Sequence, residues 1–270
     1  MKTEYENSNL EAAKTLGKAL INEQYLQSPM PGLSGDLFNL GLVYDNLNQL
    51  DKAASLYTES LHLLKSTEYE AIAGCITNLA GVFERMKVFE LALFFYMQAK
   101  HVSKHYLGKD HPVYADTLYN LANLAAKMNN NDEALSLHEE ALAIREKLDN
   151  PKDISDSLHS LAFINEELGE YKKATSYSEA ALDKVSGTDY TKACTYLAEL
   201  YETTQQHNKA LDMYIHVMDQ ISKNGCTLDD YTKLHHRKTL LGEKVDDTID
   251  PTQIVDPDFF STSETIIDND

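Results

Sequence analysis

The chain has 270 residues, 43% of them hydrophobic, with no Trp, 11 Gly and a formal net charge of −19. That charge excludes a nucleic-acid binder, because phosphate contacts need a clustered basic face. No run of 18 apolar residues offers a membrane span, the N-terminus carries no signal-peptide pattern, and the three cysteines (Cys75, Cys194, Cys226) make no disulfide framework, so a cytoplasmic protein without membrane insertion is expected.

Residues 1–33 form a first segment, with a capping helix over 9–27 that is broken by Ser28-Pro29-Met30-Pro31-Gly32. Residues 34–225 then carry one phrase five times: Leu40-Gly41-x-x-Tyr44, Leu79-Ala80-x-x-Phe83, Leu121-Ala122-x-x-Ala125, Leu161-Ala162-x-x-Asn165 and Leu197-Ala198-x-x-Tyr201. Thirteen residues after each leucine stands an alanine (Ala53, Ala92, Ala134, Ala174, Ala210), and seven further on a small or aliphatic residue. Counting Ser34 as position 1, the units start at Ser34, Ala73, Ala115, Ser155 and Thr191, at intervals of 39, 42, 40 and 36 residues. A fixed period of this size signals helical hairpins that cannot bury their apolar faces alone and therefore stack.

The register has a steric reason. Position 8 is Gly or Ala where the first helix meets its partner, and position 20 is Ala for the same reason on the second helix. Position 24 (Tyr57, Tyr96, His138, Ser178, Tyr214) fills the larger gap toward the neighbour. Gly108 and Pro112 punctuate one linker as a left-handed C-cap and a first-turn proline, and Asn150-Pro151 repeat the idea as N-cap and first-turn proline. Residues 226–242 read as a helix covering the last apolar face, and residues 243–270, with nine acids and one Lys, as an acidic, disordered tail holding the apolar patch Ile254 to Phe260.

The fivefold ladder resembles the tetratricopeptide (TPR) repeat family. The stretch from Asp110 to Val185, with His111-Pro112, Asn120-Leu121-Ala122, Glu133-Ala134 and Ala141-Leu142-Ala143-Ile144, resembles its kinesin-light-chain-like subclass. The second linker lacks the histidine and the fifth unit is shortened. The resemblance implies an all-α, right-handed α-solenoid whose first helices line a concave groove through positions 2, 5, 6, 9, 12 and 13. It also implies that Asn at position 6 grips the backbone of an extended peptide.

Position 6 is Asn39, Asn78 and Asn120 in units one to three, and Asn123 stands at position 9 of unit three. An amide side chain both donates and accepts, so such a ladder suits a peptide whatever its side chains. Tyr119 offers a flat apolar face, and Arg85 and Lys127 at position 13 are expected to meet an acidic or aromatic-acidic segment, or the chain's own acidic tail. No cofactor is implied: phosphate-cradling glycine loops, nucleophile motifs and paired carboxylates are missing from the sequence. His101 and His105, four apart, could present two metal ligands but have no third donor at a suitable spacing, and read as a solvated helix end.

The expectation is a non-catalytic scaffold or adaptor with a protein or peptide partner. The alternatives are a peptide-responsive regulator of the bacterial quorum-sensing type, for which 33 residues ahead of unit one leave no room for a helix-turn-helix, and a non-catalytic subunit of an enzyme complex.

Overall fold

The computed structural model describes residues 32–224. The expected capping helices at 9–27 and 226–242, the acidic tail and Cys226 lie outside the described residues. The chain divides into two compact units at Asn150/Pro151.

The first unit holds three helical hairpins: α1 (Leu33–Asn46) with α2 (Leu50–Leu63), α3 (Tyr69–Arg85) with α4 (Phe89–Val102), and α5 (Pro112–Lys127) with α6 (Asn131–Leu148). Within it α2 packs on α3, α4 on α5, and α3 on α5, so successive hairpins stack in the manner of an all-α solenoid. The second unit repeats the plan with α7 (Pro151–Glu167) against α8 (Tyr171–Leu182) and α9 (Gly187–Thr203) against α10 (His207–Asn224), α8 packing on α9. Helices of units two to five begin three or four residues ahead of the starts read from the repeat register, because the linkers already carry first-turn residues such as Pro112 and Pro151.

Small residues sit where the register needs them. Ala53, Ala92, Ala134, Ala174 and Ala210 are fully buried, as are Ala80, Ala122, Ala162 and Ala198 on the facing helices. The five position-24 side chains are buried against them. Cys75 and Cys194 are free thiols and buried, as packing residues should be.

Each hairpin turns by the same device. The residue at position 15 is left-handed in all five (Asn48 φ 56°, Lys87 φ 62°, Asn129 φ 61°, Gly169 φ 74°, Gln205 φ 60°). Its N–H donates three residues back, for example Asn48 to Asp45 O at 2.9 Å, and the next N–H donates five back, for example Gln49 to Tyr44 O at 2.8 Å. This double bond pattern satisfies the last carbonyls of the first helix and reverses the chain in two or three residues.

The long second interval has a cause beyond its linker. Helix α4 continues into a π-helical turn, Ser103–Leu107, closed by Gly108 N–H donating to Ser103 O at 3.1 Å, with Gly108 at φ 99° as expected. Pro112 occupies the first turn of α5, where His111 Nδ1 accepts from Val113 N–H at 3.3 Å.

Candidate functional site

The first-helix face of the first unit is built by α1, α3 and α5, and two cavities open on it. The wider, about 930 Å³, lies among the ends of α1, α2, α3 and the π turn, and Phe38, Tyr69, Leu107 and Val113 are among its lining residues. The narrower, about 300 Å³, lies between α3 and α5 and is lined by Thr77, Asn78, Asp116, Tyr119, Asn120 and Arg145. Both share Gly74 and Val113, so the two spaces adjoin along the helix face.

The narrow cavity is polar and internally braced. Thr77 and Thr117 meet hydroxyl to hydroxyl at 3.4 Å across α3 and α5, each also donating to its own helix, at Ala73 O (2.8 Å) and Val113 O (2.7 Å). Asn78 Nδ2 donates to Gly74 O at 3.0 Å, which turns its carbonyl oxygen into the acceptor left for a neighbour. Arg145 reaches in from α6. It is 5% exposed, lies 4.3 Å over the Tyr119 ring and donates to Asp116 Oδ1 at 2.8 Å. His138, fully buried, meets Tyr119 edge-on at 5.2 Å. Burial, and secondarily the neighbouring guanidinium, hold it neutral by pushing its pKa down to about 4.

The residues singled out from sequence divide into two groups. Asn78, Asn120 and Tyr119 line the same cavity. Asn39 is exposed and Asn123 half-buried, and neither lines either of the two spaces. Arg85 and Lys127 are already engaged. Arg85 pairs with Asp45 and donates to Asp45 O at 3.0 Å and Asn48 Oδ1 at 2.9 Å. Lys127 donates to Glu84 Oε1 at 2.6 Å. Each position-13 cation is thus clamped to the position-12 acid of the preceding hairpin, a complementarity that the register holds but that sequence reasoning missed.

That acid row also anchors tyrosines. Tyr96 OH donates to Glu84 Oε2 at 2.9 Å and Tyr214 OH to Glu202 Oε1 at 2.6 Å, position 24 to position 12 within one hairpin. In the second unit Glu166 instead accepts from Tyr196 OH at 2.6 Å, while the His159 ring packs on Tyr196 at 4.9 Å. Burial and the adjoining carboxylates drive the Tyr96 and Tyr196 phenols far above their ordinary range. Phe163, at position 9 of its hairpin, is half exposed on the first helix.

Sequence reasoning missed Arg145 and the openness at position 2. Units one and two carry Gly35 and Gly74 there, whereas later units carry Asp116, Asp156 and Lys192. Among the described residues, a Cβ at Gly35 or Gly74 would meet no neighbouring atom within 4 Å. Helix glycine costs about 1 kcal/mol relative to Ala, and no described neighbour of Gly74 requires it. His101 and His105 stack face to face at 5.8 Å, and among the described residues no group of three or more His, Cys, Asp or Glu converges as a metal site. Among the same residues no helix is long and apolar enough to cross a membrane.

Models of the tetratricopeptide repeat match residues 37–68, 72–147 and 115–186, together just over half of the chain. No curated protein matches the sequence. Among solved structures, the chain is similar to BtubC (BKLC) from P. vanneervenii at 18% identity and TM-score 0.67, covering 92% of this chain and 98% of that one. It is similar to a kinesin-light-chain-type protein of Podosopora anserina with nearly identical TPR-like repeats, at 18% identity and TM-score 0.62, covering 73% and 99%. A third is YrrB, described as a TPR protein with an unusual peptide-binding site, at 17% identity and TM-score 0.50, covering 76% and 91%.

Proposed function

We propose that this chain, which belongs to the tetratricopeptide repeat family, is a non-catalytic adaptor that holds an extended peptide segment of a partner protein along the first-helix face of its first unit. The observation that carries the reading is the cavity in which Asn78 and Asn120 stand together beside Tyr119. An extended backbone offers alternating N–H and C=O groups. The Asn78 carbonyl oxygen, its amide nitrogen being held by Gly74 O, accepts one N–H. Asn120 supplies the reciprocal pair of bonds one hairpin on. The adjoining Asp116 carboxylate, half exposed and held by Arg145, offers one more acceptor to the same strand.

An adaptor needs no reacting centre. The YrrB fold, whose description names a peptide-binding site, is consistent with the same use of repeats.

The test is the double substitution Asn78→Ala with Asn120→Ala in the full chain, assayed against the partner recovered with the wild type. Binding should weaken by at least about tenfold, the 1.4 kcal/mol lost with a pair of good hydrogen bonds. The melting temperature should hold, since alanine is the better helix former. Unchanged affinity would rule this face out.

A further inference from the structure

We infer that the wider cavity, bounded by Gly35 and Gly74, is the anchor subsite of the peptide face and takes an aromatic side chain of the partner, with a basic residue beside it facing Glu68 and Glu70. The inference rests on the peptide-binding reading above and names the ligand class for it.

Three uncommon choices converge on this one space. Gly35 and Gly74 stand in helices and line the cavity, and at neither does a described atom within 4 Å forbid a Cβ. The π turn is the third. It carries Leu107 into the cavity wall and sets Tyr106 flat on Tyr69, ring centroids 4.0 Å apart and 5° from parallel, fixing Tyr69 as the opposite wall. Such turns inside helices recur at functional sites.

The remaining surface fits the same guest. Phe38 and Val113 give an apolar lining suited to a flat ring. Glu68 and Glu70, both exposed, line the space and no described Lys or Arg does, so the local charge favours a cation. Glu68 is held in place by accepting from Lys65 N–H at 2.7 Å. Through Gly74 the space opens onto the cavity of Asn78 and Asn120, so a strand anchored in one continues into the other.

The experiment uses the full chain, methyl-labelled at Leu and Val, and the blocked hexapeptide Ala-Ala-Phe-Arg-Ala-Ala as probe. Titration followed by NMR should shift the methyls of Leu64, Leu107 and Val113 together with the side-chain amides of Asn78 and Asn120. Replacing the probe's phenylalanine by alanine should weaken binding at least about tenfold, and replacing its arginine by glutamate at least about threefold at low salt. Gly74→Leu, which fills the space and improves the helix, should remove the response of the cavity methyls. Gly35→Leu serves as a second filling variant should the first not fold.

If the asparagine amides respond while the cavity methyls do not, or if filling the cavity leaves affinity within about twofold, the anchor is wrong and the peptide face stands. If neither set responds to any of the three peptides, the peptide face falls and the anchor with it.

Discussion

The same substitution, Gly→Ala, should have opposite signs at two places in the first unit. At Gly74 the new methyl meets nothing within 4 Å, so only helix propensity acts and the chain should gain about 0.5–1 kcal/mol. At Gly41 the methyl would lie 2.6 Å from Tyr57 Cε1 and 2.8 Å from Cδ1, and the Tyr57 ring is fully buried with Phe38 at 5.5 Å. Overpacking of that kind costs about 1–3 kcal/mol and outweighs the propensity gain, for a net loss of about 1 kcal/mol. Two other hairpins carry alanine opposite a tyrosine without trouble, Ala80 with Tyr96 and Ala198 with Tyr214, both buried. There the hydroxyl is drawn to a glutamate at position 12. Position 12 of the first hairpin is the shorter Asp45, which pairs with Arg85; the Tyr57 hydroxyl has no hydrogen-bond partner among the described residues, and its ring lies over the glycine. Stacked repeats need not melt in one step, so native-state hydrogen exchange read on α1 and α3 is the assay. If Gly41→Ala protects its hairpin as much as Gly74→Ala does, the account of why this position is glycine is wrong.

The same packing sets the response to pH and to loss of a hydroxyl. His138, buried and titrating at about 4, binds its proton more weakly folded than unfolded, so it supports stability fully above about 6.5 and loses that support as pH falls toward 4. Relative to His138→Phe, the wild type should lose up to about 3 kcal/mol between those pH values in urea titrations, and parallel pH profiles would contradict a buried neutral imidazole. Tyr96→Phe should cost about 1–2 kcal/mol by stripping Glu84 of its buried donor. Tyr57→Phe should be neutral or stabilising, because the Tyr57 hydroxyl is buried with no hydrogen-bond partner among the described residues; equal costs for the two would refute the anchoring argument.

The hairpin register was legible because it is steric. A contact that admits only Gly or Ala leaves one of those two letters at position 8 and Ala at position 20 in every hairpin, and those residues are the buried ones. Helix starts were less so, since a first-turn Pro112 or Pro151 belongs to the helix although the repeat count assigns it to the linker. The π turn left no letter of its own. One extra residue per turn changes spacing without changing composition, so in sequence the interval of 42 reads as a long linker alone. At the site, Asn78 and Asn120 could be read from first-helix positions, but Arg145 could not. It stands on a second helix, at a place occupied in other hairpins by Leu64, Ser103 and Val185, and only packing over Tyr119 brings it to the first-helix face.

The charge on this face leads to the opposite ligand from the one the bare sequence suggests. In sequence Arg85 and Lys127 look like two cations awaiting an acidic segment, yet each pairs with an acid of its own chain, Asp45 and Glu84, and Arg145 does the same with Asp116. A partner carboxylate must displace a tethered competitor that is always at high local concentration. It also gains little at the exposed pairs, where exchange of one carboxylate for another is worth about 0–1 kcal/mol. The aromatic guest proposed for the wide cavity would have no ion pair to displace there, and a cation beside it would meet Glu68 and Glu70, with no described Lys or Arg lining the space. On the proposed peptide face, affinity would therefore come from shape at Gly35 and Gly74 and from amide bonding at Asn78 and Asn120, while the ion pairs tie neighbouring hairpins together.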